Sequence, residues 1–390
     1  MVDTKIDLFY GLNNVSDPLT LGLGYMSRAD NIDITDAGKI ACRAGFDLDT
    51  AGPVTGAYGT IDLQRMFYVL AGELVAMDGA LVIASGLASD LMHWAEVNDR
   101  VFFANGTDYG MIEPDSTVSP WSWTPPSAPT LLAVTGDLPS GQYRVACTFV
   151  FPDGRETGAG PESEIELPDG QALQISDITQ AAGLRTRVYL APANSEVFQL
   201  LSDDAPEAVM WNSSPDWLGI ELETADLDPV PAGSDVIQVW RAQMYAAQYL
   251  PETGNTAIWR SRAFGFHLFD LHSAYLAVNG RVLMMAPTDA GLLIATDKAV
   301  HVYDGETLST LANYGVVRGC AWSIDQSAPG KPVYFWTARG MCRFPEFANL
   351  TKHVSVAPGV QAGAAVMHAD GQSRFVVALH QGGIPFNSRS

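Results

Sequence analysis

The chain has 390 residues, 47 % hydrophobic and 17 % charged, which excludes an intrinsically disordered tail and leaves room for one large or two to three ordinary domains. Its 22 basic and 44 acidic residues give a net charge of −22, which excludes a protein that grips nucleic acid through clustered lysines and arginines. No basic start followed by an apolar core opens the sequence, and no apolar run approaches the ~18 residues of a membrane span, so a soluble protein made in a cytosol, with no membrane partner, is expected.

The first clear element is "ADNIDITDAGKIACRAGF" (Ala29–Phe46). Ile32 and Ile34 alternate with Asp33 and Thr35, a turn follows at Asp36-Ala37-Gly38, and Ile40 and Cys42 resume the alternation, so the spacing predicts a small hairpin. Further on, a strand–turn–strand shape recurs in "YVLAGELVAMDG" (Tyr68–Gly79), "FFANGTDYGMIEPD" (Phe102–Asp115), "LIATDKAVHVYDG" (Leu293–Gly305) and "YFWTARGMCRFPE" (Tyr334–Glu346). "HWAEVNDRVFFA" (His93–Ala104) and "AYLAVNGRVLMMA" (Ala274–Ala286) share Val-Asn-(Asp/Gly)-Arg-Val, where Asn-Asp and Asn-Gly suit two-residue hairpin turns. Repeated antiparallel units of about 40–50 residues predict a β-propeller. A weak helical turn is expected near Ala242–Tyr249.

A proline-rich linker, "WSWTPPSAPTLLAV" (Trp121–Val134), interrupts the repeats. "YRVACTFVFPDGRETGAGPES" and "TRVYLAPAN" follow it, and seven short strands over about 100 residues are expected. This order resembles a fibronectin type III-like module over Ser127–Asp226. The expected fold is therefore all-β: a β-propeller interrupted by an inserted fibronectin type III-like β-sandwich. The expected boundaries are 1–50 for an arm and hairpin, 51–126 for the first propeller part, 127–226 for the sandwich and 227–390 for the second propeller part.

No pattern selects a catalytic centre. Cys42, Cys147, Cys320 and Cys342 form no CxxC pair and are expected to be buried, reduced thiols. His267, Asp270 and His272 in "FHLFDLH" have poor ligand spacing for one strand. GxSxG, P-loop and dinucleotide fingerprints are absent. No catalytic residue, metal or cofactor is assigned, and a non-enzymatic protein is expected. Three alternatives stay open: sugar stacking on some of the nine tryptophans, a carboxylate pair among the 44 acids, and calcium in acidic turns.

"GLNNVSDPLTLGLGYMSRADNIDITDAGKIACRAGF" (Gly11–Phe46) resembles the start of the tail hub, or nozzle, proteins of short-tailed bacteriophages. The resemblance lies in Gly11-Leu12-Asn13-Asn14, Asn31-Ile32-Asp33 and Arg43-Ala44-Gly45-Phe46. "TGNTAIWRSRAF" (Thr253–Phe264) and the terminal "GQSRFVVALHQGGIPFNSRS" are similar to later strands of these proteins. The resemblance implies a virion protein assembled in the host bacterial cytoplasm. It would form a homo-oligomeric ring, a hexamer, below the portal and adaptor, and retain and then release the genome. Tail fibre or spike proteins would be further partners, and DNA would pass without tight binding. Asn13, Asn14, Asn31, Asp33, Arg43 and Gly45 would belong to an assembly arm. A receptor- or glycan-binding tail protein is the alternative.

Overall fold

The computed structural model describes residues 6, 8–35, 37–43, 45, 52, 54–273, 275–319, 321–369 and 372–381. Among these, strands dominate and helix is confined to two three-residue 3-10 turns, Asp78–Ala80 and Pro215–Trp217. No helix is long and apolar enough to cross a membrane. The chain divides into two compact units, residues 1–93, 249–256 and 278–390, and residues 94–248 with 257–277.

The first unit is built from antiparallel meanders whose strands pair in chain order. One comprises Val54–Gly59, Met66–Leu70, Glu73–Ala76 and Leu81–Ser85. A second comprises Val282–Thr288, Gly291–Thr296, Val300–Tyr303 and Leu308–Ala312. A third comprises Trp322–Ile324, Val333–Thr337, Gly340–Phe344 and Ala348–Asn349. A long hairpin, Gln361–Ala369 with Gln372–His380, follows. Gly291–Thr296 is buried at every residue, which is why its sequence runs apolar without alternation. Met284, Leu293, Val300, Val333, Phe335 and Phe344 share one core.

In the second unit, a meander of His93–Val97, Arg100–Ala104, Tyr109–Ile112 and Val118–Ser119 precedes the linker. Another, Ser234–Trp240, Gln243–Leu250, Asn255–Arg262 and Gly265–Phe269, begins after residue 230 and lies mostly in this unit, its residues 249–256 being grouped with the first; Leu276–Asn279 also pairs with its third strand. Between them lie seven strands in two sheets. Thr130–Leu138, Gln171–Ser176 and Val209–Trp211 make one; Ser163–Leu167, Gly141–Val150, Arg185–Ala191 and Gln199–Ser202 make the other. Both sheets contribute to one core, including Leu138, Tyr143, Leu173, Ile175, Val188 and Trp211. The proline-rich linker is anchored: Trp121 is fully buried, and its Nε1 donates to the Phe266 carbonyl at 2.8 Å.

The four recurring strand–turn–strand segments are each the middle pair of a four-stranded meander. The Val-Asn-x-Arg-Val match is not structurally equivalent. Asn98 and Asp99, at φ 52° and 61°, form the hairpin turn between His93–Val97 and Arg100–Ala104. Asn279-Gly280 instead links Leu276–Asn279 to Val282–Thr288, which belong to different sheets. The expected helical turn near Ala242–Tyr249 is the strand Gln243–Leu250. It is entered through Arg241 and Ala242, both at positive φ, so a tight hairpin turn is made there without the usual Asn or Gly. Of the cysteines, Cys147 and Cys342 are buried but Cys42 is exposed, because its three-residue strand pairs on one side only and none of the described residues covers it. Cys320 lies outside the described residues.

Candidate assembly site: the N-terminal arm and its seat

The hairpin expected at Ala29–Phe46 forms from Ile32–Ile34 and Ile40–Cys42. Its turn depends on Gly38. The φ of 68° is strained for other residues, and a Cβ there would meet Leu8 Cδ1 at 2.3 Å. The Gly38 carbonyl accepts from Phe9 N at 2.8 Å, which ties the preceding segment to the hairpin. That segment folds back on itself. Tyr10 N donates to the Gly24 carbonyl, Asn13 N to the Met26 carbonyl, and the Tyr10 and Tyr25 rings pack 5.6 Å apart.

Two side chains fasten this arm to sequence-distant parts of the same unit. Asn14 Nδ2 donates to the Ser355 carbonyl at 2.9 Å and Asn14 Oδ1 accepts from Ser355 N at 2.6 Å, so one amide satisfies both main-chain groups of one residue. Asn14 N donates in addition to the His353 carbonyl at 3.2 Å. Asp33 is the second fastening. Its Oδ1 accepts from Arg43 Nε at 2.9 Å and its Oδ2 from Arg374 Nη1 at 3.0 Å, so the carboxylate bridges the arm's own hairpin and the strand Gln372–His380.

The other residues singled out in the sequence have local roles. Asn13 Oδ1 caps the following turn by accepting from Val15 N and Ser16 N. Asn31 takes a φ of 53°, and its carbonyl accepts from Arg43 N. Gly45 is exposed, and a Cβ there would touch nothing within 4 Å. The structure therefore brings Asp33 and Arg43 together, seats Asn14 elsewhere, and leaves Gly45 outside both contacts. Sequence reading missed the receiving residues His353, Ser355 and Arg374. Only the folded chain brings them near, and no local pattern marks them.

Elsewhere the side chains offer little chemistry. His267 Nε2 lies 3.0 Å from the Glu156 carbonyl, and burial pushes the imidazole down to about 4. Asp270 caps His272 N and Ser273 N, so the "FHLFDLH" residues do not converge. Among the described residues no group of three or more His, Cys, Asp or Glu is placed to hold a metal ion. Ser373 Oγ lies 2.9 Å from His368 Nδ1, and His368 Nε2 lies 4.0 Å from Asp325 Oδ1. That carboxylate oxygen already accepts from Ser327 and Ala328, and His368 is half exposed, so the trio lacks the sheltered, oriented base of a hydrolase. An open hollow of about 430 Å³ is lined by Glu196, Phe198, Glu221, Glu223 and Asp226, with Arg262 held by Glu223 at 3.0 Å.

No known protein family matches the chain, and no curated protein does. Solved structures give distant likenesses. Hydrazine synthase of Kuenenia stuttgartiensis aligns at 10 % identity and TM-score 0.31, over 77 % of this chain and 80 % of that one. A functionally unknown protein of Desulfotomaculum acetoxidans aligns at 9 % and 0.26, over 83 % and 98 %. The fission yeast SREBP-SCAP binding domains align at 8 % and 0.28, over 86 % and 88 %.

Proposed function

We propose that this chain is a structural virion protein of a phage tail hub or nozzle. Copies form a ring that continues the DNA channel below the portal and adaptor, and the N-terminal arm serves assembly. The observation that carries this reading is the seat of the arm. The segment that resembles the opening of tail hub proteins is not loose: it is pinned through Asn14 and Asp33 to residues more than 300 positions away, while its apolar side chains face outward. A net charge of −22 suits a conduit, since carboxylates along a lumen repel phosphates and let a duplex slide. On this reading the protein resides in the virion and has no catalytic role.

The fold reading that accompanies it is a β-propeller with an inserted fibronectin type III-like sandwich. Chain-ordered four-stranded meanders support the propeller. The 3.4 Å contact of Arg318 Nη2 with Asp90 Oδ1 joins two segments of the first unit that are 228 positions apart. The sandwich reading rests on Tyr143, whose hydroxyl donates to the Pro139 carbonyl at 2.9 Å, as in a tyrosine corner. Its strand lies between Ser163–Leu167 and Arg185–Ala191, the place of strand F between G and C. It is second in chain order instead of sixth, and one strand, Gln171–Ser176, separates the G and C places where the immunoglobulin-type order has two, so the strand order is this module's own.

Native mass spectrometry of the chain, alone and with a head–tail connector complex, tests the function. A ring, or a monomer that assembles on the connector, is expected; a monomer indifferent to the connector refutes the hub. A second reading, glycan or receptor binding, is favoured by Trp217, which is 81 % exposed on a 3-10 turn of the sandwich region. Under that reading, host surface polysaccharide fragments change tryptophan fluorescence in the native protein and not in Trp217→Ala.

A further inference from the structure

The ring reading leaves open how copies that each carry −22 charges hold together, and the first compact unit contains two apolar surfaces suited to the task. One is the outer side of the arm. Leu19 is 93 % exposed and Leu23 72 %, with Tyr10 and Val15 near 60 %. From Leu8 to Met26 the one charged residue is Asp17. Aromatic side chains carry roughly 150–250 Å² each and aliphatic ones less, so these residues with Leu8 and Tyr25 expose on the order of 600 Å². Summed over the segment, that approaches the ~800 Å² per partner of a specific interface.

The second surface is the edge strand Leu81–Ser85. It pairs with Glu73–Ala76 on one side and is the outermost strand of its sheet. Its sequence, "LVIAS", has none of the lysines, prolines or inward charges that protect sheet edges, and no charged residue occurs from Leu81 to Ser89. Leu81 is 59 % exposed and Val82 45 %. Ile61 and Leu63, in the first hairpin of the same sheet, are 64 % and 74 % exposed.

We propose that the occupant of this edge is the arm of a second copy: the Leu19–Leu23 side of one arm packs across Leu81–Ser85 of the neighbouring subunit. The two surfaces are different, so the contact is heterologous, the type that closes rings, and a subunit offers each surface once. Both are nearly free of charge, so they are where strongly acidic copies approach at least electrostatic cost. The inference rests on the ring reading and adds the residues that make the joint.

The test is a cysteine pair in the full chain. Leu19→Cys and Val82→Cys are introduced together in a Cys42→Ser, Cys320→Ser background, which removes the thiol that is exposed among the described residues and the one that lies outside them. Mild oxidation followed by denaturing, non-reducing electrophoresis is expected to give a ladder of covalent multimers that neither single variant gives. Separately, Leu19→Asp and Val82→Asp are each expected to raise the concentration for half-assembly by about tenfold or more, read by native mass spectrometry. Their thermal melts should match the parent, because both side chains are surface-exposed. Rings that give no ladder and tolerate both aspartates overturn this joint and leave the ring reading standing. A monomer at every concentration, with or without the connector, overturns the ring and the joint together.

Discussion

Asp33 and Arg374 are 341 positions apart and are joined by an ion pair of 3.0 Å, with Asp33 also held by Arg43 at 2.9 Å. The Asp33 side chain is 19 % exposed and that of Arg374 31 %, so the pair is partly shielded from solvent, whereas Arg43 is 53 % exposed. Arg374→Ala is therefore expected to loosen the hairpin at a cost of about 1 kcal/mol, and Arg43→Ala to cost less. Hydrogen exchange of the amides in Ile32–Cys42 reads this directly. Equal protection in Arg374→Ala and the parent would show that the pair does not hold the arm.

Asn14 makes the more specific attachment, because its amide donates to and accepts from Ser355. Asn14→Asp keeps the acceptor and removes the donor, leaving the Ser355 carbonyl without that partner. We expect it to cost nearly as much as Asn14→Ala, about 1 kcal/mol, and Asn14→Gln to fail to restore the geometry. Limited trypsin digestion at Arg28, which is exposed, should run severalfold faster in all three variants. A rate unchanged in Asn14→Asp would mean that the main-chain bond to His353 suffices.

The legibility of this sequence was uneven for physical reasons. Four of the meanders announced themselves because their middle strands are apolar and their turns are short and carry Gly or Asp, as in Ala71-Gly72 and Asn98-Asp99. The meander from Ser234 to Phe269 hid its first turn, since Arg241-Ala242 has no turn signature, and the alanines of Gln243–Leu250 imitated a helix. Val-Asn-x-Arg-Val misled because the same four residues serve a hairpin in one place and a passage between sheets in the other. The arm's own hairpin was readable from alternation. Its seat was not, since Ser355 and Arg374 owe their roles to chain closure alone.

Glu156 organises the other dense polar contact. Its Oε1 accepts from Thr148 Oγ1 at 2.6 Å and Tyr189 Oη at 2.8 Å, and its Oε2 from Arg187 Nη1 at 2.6 Å. Burial and this neighbouring carboxylate push the Tyr189 phenol up. Glu156→Ala leaves the Thr148 and Tyr189 hydroxyls without this acceptor, while Arg187 keeps Asp203 Oδ1 at 2.7 Å, and it is expected to cost about 2–3 kcal/mol. Glu156→Gln keeps the size and hydrogen-bonding capacity and should cost less. Chemical denaturation of the two variants separates these values, and equal costs would show that charge, not shape, is what the site requires.

Gly158 is fixed by proximity. A Cβ there would sit 1.6 Å from the Leu227 carbonyl oxygen, a main-chain atom that cannot swing away. Gly158→Ala must therefore push apart Thr157 and Thr224, which are joined by a 2.9 Å hydrogen bond from Thr224 Oγ1 to the Thr157 carbonyl. A loss of more than about 3 kcal/mol is expected, seen as low soluble yield or a melting temperature lowered by many degrees. Gly154→Ala is the control. A Cβ at Gly154 meets nothing within 4 Å, although its φ of 87° carries a smaller backbone strain. Similar yields for the two variants would refute the close approach.

Acid sensitivity should come first from two histidines. Burial pushes His93 down to about 4, helped by the positive charges of Arg281 and Arg318. His267 falls to about 4 by burial, with Arg155 lowering it further while its contact with the Glu156 carbonyl and the charge of Asp153 act in the opposite direction. In the unfolded chain both titrate near the ordinary 6.5, so between pH 6.5 and 4 the unfolded state binds more protons than the folded one. Stability is therefore level with respect to these groups above pH 6.5 and declines as pH falls toward 4. Asp304, held down to about 2 by hydrogen bonds from Glu306, Thr307 and its own turn, contributes at lower pH, because a depressed carboxylate loses its stabilisation only below its ordinary 3.8. Urea midpoints measured from pH 8 to 4 should slope downward below 6.5, and His267→Asn should flatten part of that slope. A midpoint independent of pH over this window would show that neither imidazole is kept neutral by the fold.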